Sequence, residues 1–437
     1  MTEPNTAAQA ENMREELIRA LAEGRMRLHE LPADLSGEEA AEIRRAALEQ
    51  LTGANLVDMA RYSIDFETAA RRNCENMIGI AQVPIGVAGP LLLRGKHVDG
   101  EIYVPLATTE GALVASVNRG CTAIKAAGGA SAFVEDTGMT RAPVFRTESM
   151  AQTQEFLAWV RAHEEDIREL AESTSRHLRL IDIRPFAFGT SVWLRFRFMS
   201  GDAMGMNMAT IAAERVCRKL IGPRTGVECV ALSGNYCIDK KPASVNWQEG
   251  RGKRLHAEVV LPKEVLETTL KTTAQALAEV SYRKNLLGSI AAGANGYNAH
   301  FANVVSAYFI ATGQDVAHVV GGSTGITTIE ARGEDAYVSI YIPDMPLGAV
   351  GGGTSLNTQS EGLRLIGAIP DPDRPGWAAR RVGEILAGAV LAGEISLMAA
   401  FTSNDLARAH KRLARGQPHN PSPGLPFPGT QADPNEA

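Results

Sequence analysis

The chain has 437 residues, 45% hydrophobic and 22% charged, with a net charge of −6 and a pI of about 5.9. This length predicts two or three domains rather than one core, and the acidic balance lacks the basic footprint of a nucleic-acid binder. Five cysteines without C-x-x-C spacing, and a polar N-terminus without a signal-peptide pattern, point to reduced thiols in a cytoplasmic protein.

Residues 11–51 read as two amphipathic helices, the second opened by a capping box at Ser36 and Glu39. Residues 75–141 are mixed and glycine-rich, with a strand near Glu101–Leu106 and a helix from about Glu110. Residues 142–232 form a unit of their own. Pro143–Thr147 suits a strand and Met150–Leu170 a charged helix. Leu178–Ile183 and Ser191–Phe198 alternate as strands, Asp202 can cap a helix to about Leu220, and Val227–Leu232 suits a last strand. That order, β-α-β-β-α-β, is the ferredoxin-like arrangement.

Beyond it, Leu255–Pro262 reads as a strand, Lys263–Tyr282 as a helix, and Leu286–Thr312 mainly as a long buried helix rich in small residues. A strand at Ala336–Ile342 and a helix from Trp377 to Phe401 follow. The apolar stretch Ile385–Phe401 is interrupted by Glu394 and is short for a membrane span, so it is expected to be buried. A basic helix carries His410, and the tail at 416–437, with five prolines in QPHNPSPGLPFP, is predicted to be disordered. The expected class is α+β, with a large, mainly helical domain containing a long central helix and an inserted ferredoxin-like domain. The boundaries are 1–60 for an N-terminal helical segment, 61–141 with 233–415 for the large domain, 142–232 for the insert, and 416–437 for the tail.

Candidate chemistry starts at Leu232–Lys241, LSGNYCIDKK, where two adjacent lysines repel each other unless anions neutralise them. A solvated turn explains the same residues. Glu110, in ATTEG, has apolar or small neighbours that would desolvate an acid and raise its pKa, although a helix-start glutamate is equally compatible. Asp315 in GQD and His410 in RAHK are each ordinary surface residues when taken alone. Asp202 opens SGDAMGMNM, where a capped helix could also receive a phosphate oxygen. Ser175-Arg176 would suit a phosphomonoester. No Walker A, G-x-G-x-x-G or G-x-S-x-G motif occurs, and the histidines lack metal-ligand spacing, so no metal is expected.

Together these segments resemble 3-hydroxy-3-methylglutaryl-coenzyme A (HMG-CoA) reductases. The resemblance runs from ENMIGI (Glu75–Ile80) to RAHKR (Arg408–Arg412), through PIGVAGPL, ATTEGALVAS, GMTR, DAMGMNM, SGNYCIDKKPA, GYNAH, GQD and AVGGGT. The wording of DKKPA and DAMGMNM is similar to the first, mainly eukaryotic class. Eukaryotic members carry an N-terminal membrane region that this sequence does not show, so a soluble prokaryotic form is expected.

The resemblance implies that the large domain binds acyl-CoA and the insert binds the nicotinamide cofactor. By motif position, Glu110, Lys240, Asp315 and His410 match the catalytic set. Arg141, Ser233, Asp239, Lys241, Lys284, His300 and Asn303 match substrate positions, and Asp202, Met206, Asn207, Val350 and Gly351 match cofactor positions. Ser175 and Arg176 match the place where the 2′-phosphate is held, which favours NADPH. The implied reaction reduces HMG-CoA to mevalonate and CoA; NAD-dependent mevalonate oxidation on the same fold is the alternative. A homodimer at least, extending to a homotetramer, is implied, without nucleic-acid or membrane partners.

Overall fold

The computed structural model describes residues 4–402 apart from 27, 29 and 54. His410 and the proline-rich tail therefore lie outside the described residues. Two N-terminal helices, Pro4–Ala22 and Gly37–Thr52, pack on each other through Leu17, Leu21, Ile43 and Ala47. The capping box at Ser36 and Glu39 is formed, and Gly53 closes the second helix in the left-handed conformation.

Ten strands follow among the described residues: β1 (Ile85–Gly95), β2 (Asp99–Ala107), β3 (Ala130–Arg141), β4 (Val144–Arg146), β5 (Arg179–Phe188), β6 (Ser191–Met199), β7 (Glu228–Ala231), β8 (Gly252–Leu261), β9 (Ile326–Arg332) and β10 (Asp335–Ile342). Strand β3 joins two regions. Its first part pairs with β1 and β8, it bulges between Asp136 and Gly138, and its end, Met139–Arg141, pairs with β6. A bulge sharpens the local twist, which lets one strand serve two differently oriented groups.

On the first side the order is β2-β1-β3-β8-β10-β9, with β1–β3 the parallel pair. Its core is filled by the helix Trp377–Thr402, of which 20 residues are buried. This helix is long and apolar enough to cross a membrane, but 83% of its apolar window is buried inside the fold. Small residues let it approach its neighbours closely. A Cβ at Gly120, on the helix Leu113–Ala126, would lie 1.9 Å from the Ala392 carbonyl oxygen.

On the second side the order is β5-β6-β4-β7, all antiparallel, backed by helices Met150–Ala162, Glu164–Glu172 and Met206–Val216. With β4 as first strand, this is the ferredoxin-like order expected from the alternation of elements. Its aromatic core, including Phe145, Phe156, Phe196 and Phe198, is separate from the large one.

Several sequence expectations are corrected. Strands β1, β3 and β9 add to the strands expected from the sequence. The expected long helix over 286–312 is broken: wide π-helical turns run to Gly288, Gly293 adopts a left-handed conformation, and residues 291–295 are exposed. Only Phe301–Thr312 is the buried helix there, because Gly293 and Gly296 interrupt what composition alone reads as continuous. Asp202 does not cap the helix that follows it, which starts at Met206 behind Gly205.

Candidate functional site

The loop from Leu232 to Lys241 leaves β7 and contains three non-glycine residues with positive φ: Asn235 (62°), Ile238 (47°) and Lys240 (57°). Such backbone is costly for a β-branched residue and persists only where surrounding contacts impose it, as functional sites often do. Here the contacts are specific. The buried Thr140 hydroxyl donates to the Cys237 carbonyl at 2.8 Å, and the Trp193 indole N–H donates to the Gly234 carbonyl at 2.9 Å.

Neighbouring residues of this loop are sent to opposite environments. Asp239 accepts from the guanidinium of Arg251 at 2.6 Å, and Arg251 is 1% exposed. Arg251 also donates to the Thr140 hydroxyl at 3.0 Å and lies 3.8 Å from Asp344. Burial pushes the Asp344 carboxyl up to about 6, against the pull of Arg251 and of an Asn246 hydrogen bond. Lys240 instead places its ammonium 2.9 Å from Asp315 Oδ2, and both side chains stay partly exposed. Burial would raise the Asp315 pKa, but the hydrogen bond from Lys240 and the other local contacts outweigh it and hold the carboxyl below its usual range.

Asp315 caps the short turn Val316–His318 by accepting from the Ala317 N–H. Its segment is locked to the glycine-rich segment near Gly351. The buried Gln314 amide donates to the Gly348 carbonyl and accepts from the Gly348 N–H, both at 2.9 Å. Gly313 packs so tightly on Gly353 that a Cβ there would come within 2.4 Å of the Gly353 carbonyl oxygen.

Lys240 and Asp315 open onto a cleft of about 760 Å³, a size suited to a small-molecule ligand. Met206, Asn207, Val350 and Gly351 line the same cleft. The helix starting at Met206 has no side-chain cap, so its first N–H groups remain available to an anion. A Cβ at Gly351 or Gly352 would meet nothing within 4 Å, which leaves bare backbone against open space. An uncapped helix start beside open glycine backbone fits a dinucleotide phosphate.

Asp202 stands behind this wall rather than in the cleft lining. Its carboxylate accepts from the Gly376 and Ala379 N–H groups, both at 2.9 Å, at the start of the Trp377–Thr402 helix. Its carbonyl accepts from Ala349 and Val350. Asp202 thus ties the Met206 helix, the Val350 segment and the core helix together. Ser175 and Arg176 occupy the loop before β5, outside the cleft lining. Arg176 is exposed, with its Nε 2.9 Å from His177 Nε2.

Glu110 lies in the loop ahead of the helix that begins at Leu113, not on that helix. Its carboxyl is exposed, against the expected desolvation, and accepts from Asn303 Nδ2 at 3.3 Å. His300 precedes the helix carrying Asn303, and its buried Nε2 has no partner among the described residues. Lys284 is half-buried, 3.4 Å from Asn285 Oδ1; burial pulls its ammonium pKa down, with Glu394 opposing. Lys241 is exposed and reaches the Asp239 carbonyl at 3.3 Å. Ser233 is 3.5 Å from the Cys237 sulfur, and Arg141 donates to the Thr210 hydroxyl at 2.6 and 3.0 Å.

Sequence reasoning missed the residues that hold these groups. Glu394 is fully buried and accepts from the Ala299 and His300 N–H groups at 2.8 and 2.7 Å and from the Thr327 hydroxyl at 2.6 Å. A charged residue interrupting the apolar stretch Ile385–Phe401 was its signal. Arg251, Gln314 and His318 offered no comparable signal, since their partners are remote in sequence or unremarkable in type. Among the described residues no cluster of three or more His, Cys, Asp or Glu could hold a metal ion.

The site is thus a cleft of an α+β fold in which the Lys240–Asp315 pair faces backbone open to an anion. The family model of hydroxymethylglutaryl-coenzyme A reductase matches residues 40–415. The reductase of Methanothermobacter thermautotrophicus is 52% identical over 397 residues, covering 91% of this chain and 98% of that protein. That of Pyrococcus abyssi is 49% identical over 405 residues, covering 92% and 99%. The solved class II reductase of Streptococcus pneumoniae bound to NADPH is similar in fold, with a TM-score of 0.61 at 19% identity, covering 89% of this chain and 96% of that one. The chain belongs to the HMG-CoA reductase family, whose reaction is the reduction of HMG-CoA to mevalonate.

Proposed function

We propose that this chain reduces (S)-HMG-CoA to (R)-mevalonate and CoA with two NADPH, through mevaldyl-CoA and mevaldehyde, as a cytoplasmic enzyme of isoprenoid supply. The observation that carries this reading is one cleft shared by the Lys240–Asp315 pair and by the uncapped helix start and open glycine backbone. NADPH, when bound, supplies the hydride. Met206, Asn207, Val350 and Gly351 would hold it, Asp202 would brace that wall, and Ser175 with Arg176 would receive the 2′-phosphate.

In this reading Lys240 stabilises the oxyanion formed from the thioester carbonyl, as a cation fixed in advance by Asp315. His410 protonates the departing CoA thiolate, which would otherwise re-add to the aldehyde. Glu110, held by Asn303, donates the proton for reduction of the aldehyde. Arg141, Ser233, Asp239, Lys241, Lys284, His300 and Asn303 form the acyl-CoA side. Residues 142–232 act as the cofactor domain, and 61–141 with 233–415 as the substrate domain. A homodimer, extending to a homotetramer, in which a second subunit completes the site, belongs to this reading through the family resemblance.

The decisive assay follows nicotinamide oxidation with HMG-CoA, comparing NADPH and NADH at equal concentration. The expected result is turnover with clear preference for NADPH; turnover of mevalonate with NAD alone would replace this reading with the oxidative one. His410→Gln should impair reduction of HMG-CoA yet largely spare added mevaldehyde, and equal loss on both would remove His410 from the thiolate step.

A further inference from the structure

We propose that His318 is a positioning residue of the reduction site, whose neutral imidazole directs Nε2–H at the Asp315 carboxylate and so fixes the partner of Lys240. This inference rests on the reading of Lys240 as the oxyanion stabiliser. His318 is 1% exposed, and its Nε2 has no hydrogen-bond partner among the described residues. That nitrogen faces two carboxylates, lying 3.6 Å from Asp315 Oδ2 and 3.9 Å from Asp239 Oδ1.

An apolar side chain would fill this volume without burying a polar atom, so a sealed imidazole needs a polar role. The charged groups facing it come from three segments: Asp315 on its own turn, Asp239 and Lys240 on the loop after β7, and Arg251 ahead of β8. Burial, followed by the Arg251 charge, pushes the His318 pKa down to about 4. The ring is therefore neutral at physiological pH, with one donor nitrogen and one acceptor. Two carboxylates in front of Nε2 select the tautomer that carries the proton there.

At 3.6 Å the contact is just outside hydrogen-bond range, and catalytic contacts commonly tighten when substrate engages. Donation from His318 occupies one side of Asp315 and leaves the rest of the carboxylate for Lys240. Lys240 needs such a fixed partner, because its side chain is 43% exposed and its backbone is left-handed. The Asp239–Arg251 pair forms the other rigid wall against the ring.

The test uses two variants of the full chain, His318→Gln, which keeps a donor but does not titrate, and His318→Leu, which fills space without one. On HMG-CoA and on mevaldehyde, H318L should lose about 10- to 100-fold in kcat, the cost of a displaced reacting group, with KM for NADPH little changed. H318Q should stay within about threefold of the parent, in keeping with a retained donor. With mevaldehyde, the acid limb of the kcat profile should move up by about one pH unit in H318L and stay in place in H318Q, since loss of the donor favours protonation of Asp315. Equal effects of both variants, or a loss confined to KM, would overturn the proposal.

Nitrogen-15 NMR of the histidine side chains, with the His318 signal assigned by its absence in H318Q, gives a reading independent of turnover and of whether H318L folds. A neutral Nε2–H ring between pH 5.5 and 8 is expected; a proton on Nδ1 alone, or a charged ring, rejects it. If the parent protein fails to reduce HMG-CoA, the functional reading falls while this NMR result still judges His318.

Discussion

Asp239 and Lys240 are adjacent in sequence, yet one pairs with a buried arginine and the other with a partly exposed aspartate. Asp239 meets Arg251, which is 1% exposed and shares its charge with Asp344, itself 3% exposed. Lys240 meets Asp315 with exposures of 43% and 37%. The sealed cluster is bound up with folding, because losing one member strands the others in a dry interior. The open pair adds little to stability, since water screens it, and its ammonium is free to meet a ligand. A left-handed backbone at Lys240 is what separates the two environments across one peptide bond.

The largest effect expected is on the sealed side. Arg251→Met leaves Asp239 and Asp344 without their buried cation and should cost about 3–5 kcal/mol of stability by urea denaturation. A loss below about 1 kcal/mol would mean that the cluster is not sealed in solution. On the open side, Lys240→Ala should lower kcat by about 100- to 1,000-fold on both HMG-CoA and mevaldehyde. Its stability should change by less than about 1 kcal/mol in the same denaturation experiment.

His318 lies where the two sides meet, and its stability should depend on pH. Its folded pKa of about 4 is below the ordinary 6.5, so the unfolded chain binds the proton more readily. The stabilising contribution is whole above pH 6.5 and is lost as pH falls toward 4, by roughly 3 kcal/mol. Thermal melting of H318Q should be less sensitive than the parent across that window. Parallel curves would place His318 in a wetter environment.

Glu394 extends the comparison to a sealed carboxylate with no cation at bonding distance among the described residues. Glu394→Gln can present only one acceptor oxygen to the Ala299 and His300 N–H groups and the Thr327 hydroxyl. We expect a loss of about 1–3 kcal/mol in urea. A raised KM for HMG-CoA should accompany it, because the helix bearing Asn303 starts at His300.

Much of this was legible in the sequence. The capping box at Ser36, the strand and helix order of the ferredoxin-like unit, and the burial of Ile385–Phe401 follow from local signals of period and composition. The grouping of Lys240, Asp315, Met206 and Val350, which the fold brings to one cleft, came from the family resemblance and from no period or composition. Local reasoning failed where a partner lies far along the chain. Asp202 reads as the cap of the next helix, but caps one that starts 175 residues later, at Trp377. Glu110 reads as desolvated because its sequence neighbours are small and apolar, whereas its carboxyl projects from a loop into the open. The stretch 286–312 reads as one helix because alanine-rich composition hides the left-handed turn at Gly293 and the close approach of Gly296 to the Ser323 carbonyl.

The sequence by itself determined the ferredoxin-like order, the buried C-terminal core helix and the family. Tertiary structure alone decided which charges are sealed and which are open, because burial and pairing depend on segments joined across the whole chain. Asp239 and Lys240 have the same sequence neighbours, and only the packing of Arg251 on one and Asp315 on the other gives them different work.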